Sequence, residues 1–324
     1  SGTFVEFPIE DVETSIPARF EKVVRMYPDR LAIKAGSQSL TYSALNQAAN
    51  RVACAILAER GEGEEPIALI VEQGISAIVA ILGVLKAGKF YVPLDPTYPS
   101  SRLTAIIEDV QPGLILTNKT NHSVAIAIAH LPSCVIDIDS LDSSVTDQNL
   151  GLVIPADTLG YLFYTSGSTG KPKGVTQNHR NILHQIFTFT NGLHISPEDR
   201  LTFLHSHGFS ASRLEIFGAL LSGAGLYPFS TRETGLPKMI RWLQDEEITI
   251  FHWVPSLFRM LVSSFADNDR FPSSRFIVLG SEPVSSQDVD AYKRHFIPGC
   301  KLLNRLGTTE TGNIRWYFLD EKTQ

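Results

Sequence analysis

Cysteine is scarce in this sequence. Cys54, Cys134 and Cys300 are the three in 324 residues, an odd number set far apart. They make neither a disulfide framework nor a zinc-binding pattern, and they suit a reducing, cytoplasmic setting. Long apolar runs are lacking too. The most membrane-like stretch, Ala77–Leu85, ends at Lys86. A spanning helix needs roughly 20 apolar residues, so no membrane segment is expected. Positive charge is not in excess: 28 Lys+Arg stand against 34 Asp+Glu, a formal net charge of −6, with no long basic tract. A nucleic-acid partner is therefore not expected. The start, Ser1-Gly2-Thr3, has neither a Lys/Arg-rich segment nor an apolar signal core. No repeat of solenoid or propeller period is present. What is present is globular in kind, 43% hydrophobic and 19% charged. The length allows two or three ordinary domains or one large layered unit.

Helix and strand signals alternate steadily. Ser15 before Ile16-Pro17 caps a helix carrying Phe20, Val23 and Val24, and Ser43 caps another carrying Leu45, Ala48, Ala49, Val52 and Ile56. Apolar runs at Leu31–Lys34, Pro66–Val71, Tyr91–Leu94, Leu114–Thr117 and Cys134–Ile138 read as strands, with helices at Ile75–Lys86 and Arg102–Val110 between them. Ser140–Pro155 is soft and rich in Ser, Asp, Asn and Gly. Beyond it the rhythm resumes, with helices near Ile182–Thr190, Ser212–Leu221 and Leu236–Asp245. Strands follow near Ile248–Val254, Phe276–Leu279 and Lys301–Leu306. The expectation is an α/β fold of layered, largely parallel sheets flanked by helices. Residues 1–139 would form a first subdomain, 140–158 a connecting loop and 159–324 a second subdomain.

The strongest local signal is Tyr164-Thr165-Ser166-Gly167-Ser168-Thr169-Gly170-Lys171-Pro172-Lys173-Gly174. Its glycines permit tight turns and close approach of N–H groups to an anion, its hydroxyls add donors, and its lysines add charge. It is not a Walker A loop, because Lys171 is followed by Pro172 and Gly174 by Val175. Strand-like residues flank it on both sides. It is either a strand-to-strand loop that folds over a phosphate chain or a surface hairpin.

This segment resembles the phosphate-binding signature of the adenylate-forming superfamily, which comprises acyl-CoA synthetases, luciferases and nonribosomal peptide synthetase adenylation domains. Leu85-Lys86-Ala87-Gly88-Lys89-Phe90-Tyr91-Val92-Pro93-Leu94-Asp95-Pro96, with Tyr98-Pro99 and Arg102-Leu103, is similar to a core motif of the peptide synthetase branch. Leu40-Thr41-Tyr42 with Leu45-Asn46 and Ala49-Asn50-Arg51, Phe209 to Glu215 with Ala219–Ala224, and Gly307-Thr308-Thr309-Glu310 resemble further motifs in the same order. The resemblance runs from about Phe20 to Trp316.

The resemblance implies an enzyme that joins a carboxylic acid to ATP, giving an acyl-adenylate and pyrophosphate, and passes the acyl group to the phosphopantetheine arm of a carrier protein. Thr165, Ser166, Thr169 and Lys173 fall on phosphate-binding positions, within a loop that includes Gly167, Ser168 and Gly170. Thr309 would touch the α-phosphate and Glu310 would hold Mg²⁺, a hard ion suited to oxygen ligands. Gly280-Ser281-Glu282-Pro283 resembles the adenine-binding loop, and Asn304 falls where the adenine amino group is bonded. Gly307 and Thr308 complete that segment. Leu306 departs from the aromatic residue usual before this glycine, which implies weaker stacking on the base.

Amino-acid-activating members read Phe-Asp-x-Ser where this chain has Phe209-Ser210-Ala211-Ser212. The family's aspartate pairs with the substrate α-ammonium, and a buried ammonium without that partner is costly. The departure implies an acid without an α-amino group. The remaining acyl-pocket walls carry over to Ala211, Leu214, Trp253, Ile277, Leu279, Arg305, Asn313 and Ile314, with Phe209 and one of His205 and His207 at the edge. The other histidine is expected on the surface. No metal is expected at either one, because no Cys or carboxylate completes a convincing ligand set nearby. Arg305 stands where a small residue is usual. It either binds an anionic or carbonyl group of the substrate or turns outward to a surface acid. Trp242 and Trp316 are expected to be packing residues.

Members of the family continue into a mobile C-terminal subdomain with an essential lysine. This chain stops at Gln324, so it reads as the N-terminal core of a larger enzyme whose C-terminal adenylation subdomain is absent here. Two other readings stay open: a free-standing acyl- or aryl-CoA ligase, and a non-catalytic paralogue that binds nucleotide or a partner.

Overall fold

The computed structural model describes the chain except residues 1–2, 130–132, 143–145, 167–171, 231–234, 267–268, 321 and 324. The Ser15 hydroxyl accepts from Ala18 N–H and starts α1 (Ile16–Met26), with Phe20 and Val23 on its buried face. α2 (Tyr42–Arg60) starts just ahead of Ser43: Thr41 caps it by accepting from Ala44 N–H at 3.2 Å. The cap has extended backbone and α2 begins at Tyr42, whose side chain is needed inward. Its hydroxyl donates to Ala224 O at 2.7 Å. That contact ties the Leu40-Thr41-Tyr42 motif to the Ala219–Ala224 motif. α3 (Ile75–Lys86) is apolar on nearly every face and buried. Gly83 lets α2 approach it, since a Cβ there would lie 2.5 Å from Val52 Cγ1.

Two sheets follow. The first contains β3 (Pro66–Ile70), β4 (Phe90–Leu94), β5 (Leu114–Thr117), β6 (Cys134–Asp137), β7 (Leu159–Ser166) and β8 (Pro172–Asn178), in the order β6-β5-β3-β4-β7-β8. The second contains β1 (Leu31–Ala35), β2 (Gln38–Thr41), β9 (Arg200–Phe203), β10 (Gly225–Pro228), β11 (Ile250–Trp253), β12 (Phe276–Gly280), β13 (Lys301–Thr308) and β14 (Gly312–Leu319), in the order β14-β13-β12-β11-β9-β10-β1-β2. Neighbours pair in parallel except β7–β8, β13–β14 and β1–β2. The central strands β3, β4, β5, β9, β10, β11 and β12 are short, largely apolar runs buried on both faces, as parallel sheets covered by helices require.

Helices α4 (Ser100–Val110) and α5 (His122–Ile128) belong to the first sheet's chain segment. After β8 come α6 (His179–Leu193), α7 (Ser212–Leu220), α8 (Leu236–Asp245), α9 (Pro255–Val262) and α10 (Ser286–His295). Strand membership crosses the division expected at 140–158 in both directions: β1–β2 join the second sheet and β7–β8 the first. One buried cluster takes Ile33 and Leu226 from the second sheet and Leu69, Tyr91 and Phe163 from the first. The sheets therefore share a core. The Lys86–Lys89 motif is structural: Lys86 pairs with Glu21, and Lys89 Nζ lies 2.9 Å from Glu65 Oε1. No helix among the described residues is long and apolar enough to cross a membrane.

Candidate functional site

The described ends of the glycine-rich segment lie on the antiparallel pair β7–β8, with Thr165 opposite Lys173 and Ser166 opposite Pro172. Thr165 Oγ1 lies 3.5 Å from Lys173 O, and Lys173 is exposed. Gly167, Ser168, Thr169 and Gly170 lie outside the described residues. From the same pair of strands, Gln177 Nε2 donates to Glu310 O at 2.8 Å. The first sheet thereby reaches the β13–β14 turn of the second. Glu310 is exposed on that turn beside a cleft of about 710 Å³ that Asn313 and Gln185 also line. Gly312 closes the turn at φ +70°, with Gln185 packed where a Cβ would stand. An exposed carboxylate next to a threonine hydroxyl suits Mg²⁺, which binds through one or two carboxylates plus phosphate oxygens and keeps its waters.

Gly280 ends β12, and Ser281 follows at φ +70°, a backbone state a non-glycine residue rarely takes. Such strain concentrates at ligand-binding loops. The loop is tethered: Glu282 accepts from Ser256 N–H and Ser256 Oγ, each at 2.8 Å, and Pro283 O accepts from Arg259 Nη2 at 2.9 Å. Glu282 is thus committed to capping α9. Asn304 pairs with Leu279 across β12–β13. Leu306 is 59% exposed, open to a ligand face.

Ser210 is buried, and its Oγ lies 2.8 Å from Thr309 Oγ1. Phe209 beside it is 40% exposed and Ile314 is 55% exposed. Arg305 turns inward and is buried, which removes the outward alternative. Its Nε donates to Asn313 Oδ1. Burial pushes the guanidinium down to about 9, and neighbouring Arg213 pushes the same way. Trp253, Ile277 and Leu279 are fully buried in a second cluster, with Phe258 of α9 and Tyr292 of α10. Val278 and Leu303, alternating with them, join the α6–α7 side with Leu214. The structure therefore gathers Ser210, Arg305, Asn313 and Thr309, and it sets Trp253, Ile277 and Leu279 into the other core.

Both histidines are buried, so neither takes the expected surface position. Desolvation holds His207 down to about 4, against the pull of Asp95 and Glu72. His205 Nδ1 lies 3.1 Å from Glu215 Oε1, and its ring centroid is 4.7 Å from that of His252. A carboxylate does join the histidines in space, contrary to the sequence expectation: His205, Glu215 and His252 offer ligand atoms within 4.8 Å of one another. Burial drives His252 well below its ordinary value, and His205, Arg305 and Arg213 add to that. Glu215 also accepts from Leu204 N–H at 3.1 Å.

Sequence reasoning missed Asp95, Gln177, Arg213 and His252. Asp95 accepts from Ser206 Oγ at 2.7 Å and so supports the 205–209 loop from the first sheet. Arg213 follows Ser210 by one helical turn and bonds its carbonyl. That spacing was the available signal. Trp316 packs edge-on against Phe189, and Trp242 lies tilted at 33° against Phe229, as expected of packing residues.

The model of the family described as AMP-binding enzyme matches residues 20–324. Gramicidin S synthase 2 of Brevibacillus brevis is 35% identical over 327 aligned positions, covering 98% of this chain and 7% of that protein. Tyrocidine synthase 1 of Brevibacillus parabrevis is 33% identical, covering 92% of this chain and 27% of the relative. Among solved structures, the nonribosomal peptide synthetase FmoA3 in its α-methyl-L-serine-AMP form is similar at TM-score 0.87 and 25% identity, covering 97% of this chain and 35% of that one. The N-terminal subdomain of Klebsiella oxytoca NpsA, in complex with 3-hydroxybenzoyl-AMSN, shares the fold at TM-score 0.83 and 22% identity, covering 95% of this chain and 76% of that one. The chain thus spans a small part of the curated relatives it matches.

Proposed function

The chain belongs to the AMP-binding enzyme family, and from that membership we propose that the full-length protein activates a carboxylic acid as its acyl-adenylate. The acyl group then passes to the phosphopantetheine thiol of a carrier protein, in the cytoplasm. The observation that carries this reading is a convergence on one turn. Ser210, just ahead of α7, bonds the Thr309 hydroxyl, and Gln177 of β8 bonds the Glu310 main-chain carbonyl, so these segments meet at that turn.

In the reaction a carboxylate oxygen attacks the α-phosphorus of ATP. The bond from that phosphorus to the bridging oxygen breaks, and pyrophosphate leaves with the electron pair. The chain contributes positioning and charge. Lys173 and Thr165 hold the phosphate chain, and Ser166, Gly167, Ser168, Thr169 and Gly170 belong to the same phosphate-binding signature in this reading. The Thr309 hydroxyl holds the α-phosphate, and the Gly280–Pro283 loop, Asn304 and Leu306 hold the base. Glu310 is the residue that would hold Mg²⁺, which would supply charge neutralisation for the phosphates. A C-terminal adenylation subdomain is a partner in this reading. Ser210 in place of a carboxylate favours an acid without an α-ammonium group.

ATP–pyrophosphate exchange by the full-length protein over a panel of carboxylic acids tests the reading. Acid-dependent exchange is expected. Nucleotide binding with no exchange for any acid would make the chain a non-catalytic nucleotide binder.

A further inference from the structure

Arg305 lies in the interior on β13, and among the described residues its one hydrogen bond is from Nε to Asn313 Oδ1. No carboxylate of a described residue stands within ion-pair distance of it, and the charged group that acts on it is another cation, Arg213. Arg213 is itself buried and bonded to neutral acceptors, Gln185 Oε1 at 2.7 Å and Ser210 O. A buried guanidinium without a counter-charge is costly to hold, and folds retain such a group where something anionic will meet it. Its surroundings are also rich in donors. Asn313 Oδ1 accepts from Arg305 Nε, and Asn313 Nδ2 is buried with no acceptor among the described residues. The arrangement is a guanidinium braced at Nε, with Nη1 and Nη2 not engaged by described residues and an orphan amide N–H beside it. A planar oxyanion fits a guanidinium of this kind by two parallel hydrogen bonds.

We propose that Arg305, braced by Asn313, is an anion subsite of the acyl pocket, and that the acid activated here carries a second carboxylate which pairs with Arg305. This rests on the adenylation reading above. Ser210 and Arg305 act together in it: Ser210 is a neutral hydroxyl that offers no charge to a substrate ammonium, and Arg305 is a buried cation, so the pocket favours a substrate anion.

The test is ATP–pyrophosphate exchange by the full-length protein with matched acids of equal length. One member of each pair ends in a second carboxylate and the other in the uncharged primary amide. A preference of at least about tenfold in kcat/KM for the dicarboxylic member is expected, since a charged hydrogen bond carries at least that much discrimination. Arg305→Gln should collapse the preference to near unity. Asn313→Asp should also reduce it several-fold with Arg305 still present, because the new carboxylate would occupy the guanidinium. Circular dichroism and thermal midpoints of both variants establish that they fold. Exchange with amide members equal to or above dicarboxylic ones, or a preference that survives in both folded variants, overturns the subsite and leaves adenylation standing. Absence of exchange with every acid overturns the adenylation reading, and the subsite with it.

Discussion

Ser210 Oγ lies 2.8 Å from Thr309 Oγ1, which couples the residue that replaces the family's aspartate to the residue assigned to the α-phosphate. In the proposed reading the serine therefore faces the junction where carboxylate and phosphate would meet. Ser210→Asp would place a carboxylate there and offer a partner to an α-ammonium. Matched pairs such as phenylpyruvate and phenylalanine, compared in pyrophosphate exchange, should favour the keto member in the natural protein. The Asp variant should shift the ratio at least about tenfold toward the amino member. A natural preference for the amino members across several pairs would sink the assignment.

Lys173 and Glu310 should be needed for different halves of the phosphate chemistry. Lys173→Ala is expected to weaken pyrophosphate handling, and Glu310→Ala to raise the Mg²⁺ concentration required. Each should lower the rate on the order of 10²–10³, as for loss of one preorganised electrostatic contact. Unchanged kinetics and unchanged Mg²⁺ dependence in the two variants would remove both roles.

The Lys89–Glu65 pair makes a stability prediction independent of catalysis. Lys89 is 1% exposed at its side chain and Glu65 is 22% exposed, and Glu65 also receives Arg60 Nη2 at 3.0 Å. Glu65→Ala leaves the ammonium buried without its counter-charge. The expected loss is about 3 kcal/mol, the low end for breaking a buried pair because Glu65 is partly solvated. Replacing both groups, Lys89→Met with Glu65→Ala, should recover most of it. Urea unfolding of the two variants decides the matter: a double variant no better than the single one would mean that charge burial is not the cause.

Much of this arrangement is legible in the sequence because local signals agree with the fold. Ile75–Lys86 and Leu236–Asp245 are apolar or periodic and bounded by glycine, and they fold as read. Other elements carry weaker signals. α5 is a short helix, and β14, half exposed on an edge strand, alternates poorly. α10 did carry a signature, the Ser285–Asp288 capping box. Of the site, contiguous motifs gave the hairpin and the Thr309–Glu310 turn. Gln177 and His252 act through partners distant in the chain, on Glu310 and His205, and nothing in their own neighbourhood marks them. The sheet alternation that parts Arg305 from Trp253, Ile277 and Leu279 likewise appears only once strand register is set.

Buried neutral histidines set the acid limit of stability. His179 Nδ1 accepts from Ile16 N–H at 3.2 Å, and burial holds its imidazole down to about 4. His207 is also held down to about 4, and burial, with neighbouring cations, takes His252 lower still. A histidine whose folded value lies below its unfolded value near 6.5 takes up a proton first in the unfolded chain. Its contribution is fully present above about pH 6.5 and is lost as pH falls toward 4. Asp95 and Asp288, whose values are lowered, lose their contributions only below the ordinary carboxylate range, so the histidine window lies above theirs. Each such histidine adds a slope of about 1.4 kcal/mol per pH unit inside that window. Glu215, held up by burial, takes up its proton first in the fold and offsets part of this, so unfolding free energy from urea titrations should fall from pH 6.5 to 4.5 by less than the histidines alone would give. His179→Asn keeps an acceptor for Ile16 N–H and removes the titration, so its profile should be shallower by about one proton. A flat profile in the natural protein, or the same slope in the variant, would show that these imidazoles do not stay neutral in the fold.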